Sequence, residues 1–328
     1  MPRIFFLLSV ICIVFIISTI LTARLIPFLK KRKMGQTILE IGPSWHKSKE
    51  GTPTMGGLAP VISILLTLVP LLLLPNFFSK KEVVGVILTL LYAFLNGIIG
   101  ITDDLVKLRN HQNQGLTPIQ KLILQFAFAG TYLAFLDMNG FINKTITIPF
   151  FHTSIYLGFW FYVLAIVFMV GTVNCVNLTD GIDGLATSVN MLVGGFFIFV
   201  AFILWQNDLL LLSAAMAASS LSFLCFNYHP ARVFMGDTGS LFFGALAVGC
   251  AFICGNPLLL LMCGIVYYIE GVSVVLQVIW FKISGGKRLL RMAPFHHHLE
   301  KGGWTEEKIV FTLTLVSLFG AIFAAFNI

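Results

Sequence analysis

The chain has 328 residues, 58% of them hydrophobic and only 11% charged, with a mean hydropathy of +0.93. A water-soluble domain of this length cannot bury so much apolar side chain, so the composition excludes soluble enzymes and calls for a membrane-spanning chain. The formal charge of +7 is spread over many short segments rather than gathered on one soluble face, which argues against nucleic acid as a partner.

Ten apolar runs of roughly spanning length follow one another, at about 4–25, 55–74, 83–101, 118–136, 155–173, 185–204, 209–226, 240–254, 257–281 and 310–326. The first is too long for the core of a signal peptide and has no A-x-A-like site after it, so it is read as a retained span. With alternate loops on alternate sides, Arg3, Lys80, Lys81 and Lys144 share one side and every other lysine and arginine the other. The positive-inside rule then puts both termini outside and the basic loops in the cytoplasm. The expected fold is a single all-α polytopic membrane domain over 1–328 with ten transmembrane helices. Six cysteines lie in or beside spans without a C-x-x-C pair and read as small core residues.

Span one ends in a basic run, Lys30–Lys33, that suits a topology determinant in contact with anionic lipid. The next loop, W-H-K-S-K-E-G-T-P-T-M-G-G-L, sets Lys47 and Lys49 before a turn that opens span two. Thr52 or Thr54 suits capping that helix, and lysines beside a helix N-terminus suit a phosphate. Span three closes on Asp103 and Asp104, two adjacent carboxylates that repel unless a cation lies between them and a partner. Such a pair suits a general base, although a solvated helix end would look the same. The loop runs on to Lys121, and the outer T-I-T-I-P-F-F alternates like a short hairpin.

The centre of the chain is V-N-C-V-N-L-T-D-G-I-D-G-L-A, with Asn177, Asp180 and Asp183 between two apolar runs. A three-residue spacing puts both carboxylates on one face of a helical turn, and Gly181 and Gly184 let a ligand approach the backbone. A plain polar linker between helices is the alternative. Further on, N-Y-H-P-A-R-V-F-M-G-D-T-G-S presents Asp237 on a tight turn as a hard-cation ligand, with Phe234 beside it to stack on a ring. Span nine carries Glu270 and Gln277 and is long enough to need a tilt or a break. The last inner loop holds His296, His297 and His298, which splay apart on a helix and so suit an anionic ligand better than one zinc ion.

Asp103, Asp104, Asp180, Asp183 and Asp237 come from three separate loops, yet with Lys47, Lys49, Lys121 and the histidines they are all expected on one, cytoplasmic, face. Carboxylates mixed with lysines describe a magnesium and phosphate site, and no G-x-x-x-x-G-K-[ST] is present to make it a P-loop.

The motifs D-D at 103–104, N-L-T-D-G-I-D-G-L-A at 177–186, F-M-G-D-T-G-S at 234–240 and P-F-H-H-H-L-E at 294–300 resemble the polyprenyl-phosphate N-acetylhexosamine-1-phosphate transferase superfamily. G-T-P-T-M-G-G and H-H-H-L-E-K-G-G-W are similar to the branch of it that makes lipid I in bacterial peptidoglycan synthesis. The resemblance implies Mg²⁺-dependent transfer of phospho-MurNAc-pentapeptide from its UDP carrier to undecaprenyl phosphate, with release of UMP and with Mn²⁺ as a tolerated metal. It also implies a homodimer in the bacterial cytoplasmic membrane and a lipid groove near span nine. Carried over by motif, Asp237 holds the metal. Lys49, Thr54, Asn177, Asp180, Asp183 and Phe234 surround the nucleotide, and His296, His297 and His298 the sugar phosphate. Asp103, Asp104 and Lys121 handle the lipid phosphate. The alternatives are a UDP-GlcNAc-using relative and, more remotely, an anion transporter, which would set its charges near the midplane in related halves.

Overall fold

The structure is a computed structural model that describes residues 2–32, 49, 51–74, 77–110, 115–151 and 153–328. Lys33 and Lys47 lie outside the described residues. The first helix, α1 (Pro2–Lys31), is followed by a shorter α2 (Leu58–Leu71) and by α3 (Lys80–Asn110) and α4 (Pro118–Met138). A hairpin of β1 (Thr145–Ile148) and β2 (Thr153–Tyr156) interrupts the helices with antiparallel pairing from Thr145–Tyr156 to Ile148–Thr153, as the alternation of T-I-T-I predicts. Then come α5 (Trp160–Thr179), α6 (Leu185–Leu204), α7 (Asn207–Asn227) and α8 (Gly236–Ile253). The chain closes with α9 (Leu258–Cys263), α10 (Ile265–Ile283), α11 (Phe295–Glu300) and α12 (Glu306–Ala325).

Among the described residues nine helices are long and apolar enough to cross a membrane, one fewer than the ten expected. The difference is α2: Pro53 and the following glycines delay its start to Leu58, which leaves 14 helical residues. Span nine is broken as its length requires, with Gly264 ending α9 and starting α10. Local signals set other boundaries. Thr117 and Gln120 form a reciprocal capping box with Pro118 at the first turn of α4, and Thr305 caps α12 through the Lys308 N–H.

The core is α8. Every residue from Thr238 to Ile253 is buried, and α3, α5 and α7 pack around it. Lipid-level packing has no hydrophobic drive of its own, so helices approach through small residues. Gly97 and Gly100 of α3 face α8, and a Cβ on Gly100 would collide with the carbonyl of Asp237. Gly244 of α8 lies against Val173 of α5, where a Cβ would stand 3.0 Å from the Val173 Cα. The outer helices expose Phe5, Leu66, Ile123, Val167, Phe311 and Phe323, an apolar surface that suits acyl chains and not water.

One end of the bundle is tied by Arg3 to the Ala201 carbonyl, Lys81 to the Gly140 carbonyl and Glu82 to Asn207. The carboxylate motifs gather at the other end. We expect Gly100→Ala to push α3 off the first turn of α8 at about 1–3 kcal/mol, the usual range for overpacking. Thermal unfolding in detergent should show a lowered Tm; an unchanged Tm would mean that the two helices part freely at that level.

Candidate active site

Three connections build the site: the end of α3, the turn between α5 and α6, and the start of α8. Asp103, one turn before the basic last turn of α3, is fully buried. Its Oδ1 accepts from the Leu116 N–H (2.7 Å) and pairs with Lys121 of α4 (2.9 Å), while Oδ2 pairs with Lys107 one turn on (2.6 Å). Asp104 points instead to α8, where its Oδ2 accepts from the Thr238 N–H (3.0 Å) and hydroxyl (2.7 Å). The Asp237 N–H also lies 3.3 Å from Asp104 Oδ1. Asp104 thus caps α8 from another helix, where the exposed N–H groups and the helix dipole favour a negative charge. The cations expected between the aspartate pair and a partner are Lys107 and Lys121, which bridge Asp103 to Asp237.

Asp237 completes the group. Its Oδ2 meets Lys121 (2.8 Å) and Lys107 (3.2 Å), and its Oδ1 accepts from Asn177 Nδ2 (3.0 Å), which also donates to Ser240 (2.8 Å). Asn177 therefore binds the α5 end to the α8 start. Thr54 stands alongside: a Cβ on Gly236 would lie 3.0 Å from Thr54 Oγ1 and 2.8 Å from Asp104 Oδ2. Gly236 also has φ +74°, a conformation that a side chain would strain. Thr54 does not cap α2, whose N-cap is Gly57 without a side-chain hydrogen bond. Phe234 beside the turn exchanges backbone hydrogen bonds with Pro53 and Gly56, which locks the two loops together.

Asp180 and Asp183 do not share a helical face as expected. Asp180 ends α5 with φ −81° and ψ 48°, and Gly184 with φ +80° starts α6, so the residues between form a non-helical turn. The two carboxylates part company there. Asp180 accepts from the Gly236 backbone, and burial together with the charges of Asp237, Asp104 and Asp183 pushes it well above the usual carboxylate range. Asp183 turns to Lys49 (2.7 Å), His229 Nδ1 (2.9 Å) and the Ala231 N–H (3.0 Å). Burial alone would raise Asp183, but the hydrogen bonds from Lys49 and Ala231 outweigh it and hold the group below its ordinary value of 3.8. Glu306, at the start of α12, also takes Lys49 (2.7 Å). Lys49 therefore belongs to a second network, apart from the Asp237 group.

The three histidines lie on the short helix α11 rather than on an open loop. His296 is buried against Glu270, with Nδ1 3.0 Å from Oε2. His297 Nδ1 bonds Glu300, and His298 accepts from the Arg291 N–H (3.1 Å) and stacks on Phe295. Sequence reasoning missed Lys107, Ser240, His229 and Glu306. Only Lys107 carried a legible signal, its i,i+4 spacing from Asp103 on a helix.

Asp103, Asp104 and Asp237 each offer a carboxylate oxygen, all within 4.8 Å of one another. Hard oxygen donors are the ligands Mg²⁺ takes; since these stand about 2.1 Å from the ion and so at most about 4.2 Å apart, the three carboxylates would draw slightly together around it. Asp183, His229 and Glu306 form a second group of this kind, paired with Lys49 as Asp103 and Asp237 of the first are paired with Lys107 and Lys121, but it offers two carboxylates where the first offers three.

Because Asp183 has its folded value depressed, its contribution to stability is present above the unfolded value near 3.8 and fades as pH falls through the folded one. Acidification from about pH 5 downward should loosen the turn, and Asp183→Asn should remove that part of the acid sensitivity. Unfolding midpoints in detergent across that window measure both; equal acid slopes in the two proteins would refute the assignment.

The pattern of Glycosyl transferase family 4 matches residues 86–255, which spans α3 to the end of α8. The Phospho-N-acetylmuramoyl-pentapeptide-transferase signature 1 matches residues 49–59, the segment from Lys49 through the start of α2. The Phospho-N-acetylmuramoyl-pentapeptide-transferase of Listeria monocytogenes serotype 4b is 40% identical over 319 residues, 97% of each chain. That of Clostridium perfringens is 42% identical over 311 residues, covering 94% of this chain and 92% of the relative. That of Halalkalibacterium halodurans is 41% identical over 321 residues, 98% of this chain and 97% of the relative. With both termini of the match near the ends of the chain and the site motifs inside it, the protein belongs to the phospho-N-acetylmuramoyl-pentapeptide-transferase family.

Proposed function

We propose that this chain transfers phospho-MurNAc-pentapeptide from its UDP carrier to undecaprenyl phosphate, giving lipid I and UMP in peptidoglycan biosynthesis. The near-full-length similarity to relatives of that name carries the reading, and the carboxylate and lysine group at one end of the bundle supports it. The lipid phosphate oxygen forms the new bond to the donor's β-phosphorus, and the bond from that phosphorus to the bridging oxygen breaks, so that UMP leaves with the electron pair.

Asp237, with Asp103 and Asp104, would hold Mg²⁺, which when bound neutralises charge that develops on the phosphates. Mn²⁺ should serve in its place. The chain's own residues do the rest. Lys121 and Lys107 stand between Asp103 and Asp237, so a phosphate entering there meets two cations already held in place. On the family resemblance, Asp103, Asp104 and Lys121 would handle the lipid phosphate. Asn177, Asp180, Asp183, Phe234, Thr54 and Lys49 line the approach of the nucleotide, and His296–His298 the sugar phosphate.

The proposed setting is the bacterial cytoplasmic membrane, with this end facing the cytoplasm and both termini outside. Arg3 and Lys81, two of the four basic residues assigned to the outer side, are both tied at the end of the bundle opposite the carboxylates. In this topology α2 counts as the tenth, short span. We further propose one transferase domain over 1–328 and a homodimer, both on the family resemblance.

The decisive assay mixes purified protein with undecaprenyl phosphate, Mg²⁺ and either UDP-MurNAc-pentapeptide or UDP-GlcNAc, and follows UMP. Release should occur with the first donor, stop in EDTA and return with Mg²⁺ or Mn²⁺. Asp237→Asn should lose nearly all turnover while still folding in detergent. Release with UDP-GlcNAc alone would overturn the donor assignment, and full activity in EDTA would remove the metal.

A further inference from the structure

Glu270 lies in the second turn of α10 with no exposed surface, and the scheme above does not use it. A buried carboxylate in a membrane helix is costly, so what it touches identifies its use. It touches His296. The backbone N–H of His296 (3.2 Å) and its ring Nδ1 (3.0 Å) both reach the same carboxylate oxygen, Oε2. Two donors converging on one oxygen fix the ring's rotation and assign the Nδ1 proton, which turns Nε2 to the far side.

That far side is the α5–α6 turn. His296 Nε2 is buried without a hydrogen-bond partner among the described residues, and it lies against Gly181, where any Cβ would collide with it. Gly181 sits directly after Asp180 and two residues before Asp183. The line of contact therefore runs from the membrane helix α10 through Glu270 and the His296 ring to the turn that carries both aspartates.

We propose that Glu270 is a positioning residue: it holds His296 with Nδ1 engaged and Nε2 against Gly181, and so sets where the Asp180–Asp183 turn stands relative to α11. The inference rests on the reading of that turn and α11 as the donor site. An orienting partner of this kind typically contributes about 10–100-fold to the function of the histidine it holds.

The test has a spectroscopic arm and a kinetic arm. In ¹⁵N-histidine-labelled protein in detergent, the His296 signal, identified by its loss in His296→Gln, should show a hydrogen-bonded Nδ1–H. Glu270→Leu should abolish that signature. Glu270→Gln, which keeps an acceptor oxygen at the same reach, should retain it. In the UMP assay, Glu270→Leu should lower kcat about 10–100-fold with the KM for undecaprenyl phosphate unchanged, and Glu270→Gln should recover most of the loss. Gly181→Ala, which displaces the ring from its other side, should slow turnover like the leucine variant.

An unchanged Nδ1 signature in Glu270→Leu, or a glutamine variant as slow as the leucine variant, would overturn the proposal. Should the leucine variant not fold, Glu270→Gln and Gly181→Ala still decide: wild-type turnover in Gly181→Ala, or loss of the Nδ1 signature in Glu270→Gln, refutes it. A wild type with the expected signature but no turnover would sink the transferase reading and leave the positioning of His296 intact.

Discussion

Gly100 and the first turn of α8 are in backbone contact, and the end of the bundle that carries the carboxylates depends on that contact. Without a Cβ at Gly100 the last turns of α3 can slide beside the carbonyl of Asp237. Only then does Asp104 reach the free N–H groups that open α8, bonding Thr238 through both backbone and hydroxyl. A helix N-terminus in a membrane protein has few waters to satisfy it, so a carboxylate from a neighbour is worth more there than at a soluble surface. Asp104 is thus a structural cap as well as a member of the carboxylate group, and the two roles are one geometry.

Charge balance explains the rest of that group. Asp103, Asp104 and Asp237 bring three negative charges into a space from which Asp103 and Asp104 are almost wholly hidden. Isolated, such charges would cost several kcal/mol each. Lys107 and Lys121 offset two of them, and the backbone of α8 and the amide of Asn177 take the remaining lone pairs. The lysines hold position by pairing with carboxylates rather than by packing, so an incoming phosphate can take over part of that pairing without moving the helices. Preorganised donors of this sort need no rearrangement when charge develops.

How much of this could be read beforehand follows from what each residue depends on. Hydropathy marked the spans because a membrane helix declares itself by length and apolarity alone, and the hairpin at Thr145–Tyr156 declared itself by alternation. The tenth span did not survive as a full-length helix, since a glycine and proline opening shortens α2 by geometry that a hydropathy window does not see. The site motifs were legible as residue types, yet their partners were not. Nothing in the chain says that Asp183 turns away from Asp180 to meet Lys49, His229 and Glu306, because those residues come from three distant segments. Glu270 stood out as an ionisable group inside a span, but its partner lies 26 positions on, past the end of the helix.

The α5–α6 turn shows why these long-range ties matter. Gly181 and Gly184 leave it little conformational preference of its own, so its shape comes from outside. Asn227 at the end of α7 accepts from the Gly184 N–H and the Thr187 hydroxyl, and so holds one side. Gly236 bonds Asp180 from α8, Lys49 and the Ala231 N–H bind Asp183, Glu306 reaches in from α12, and the ring of His296 presses on Gly181 from α11. Six residues from outside, Asn227, Gly236, Lys49, Ala231, Glu306 and His296, therefore fix a turn of a few residues. A turn overdetermined in this way can carry two aspartates at fixed separation while Gly181 keeps exposed surface. The membrane helices supply the rigid frame, and the chemistry is concentrated on the short connections they hold still.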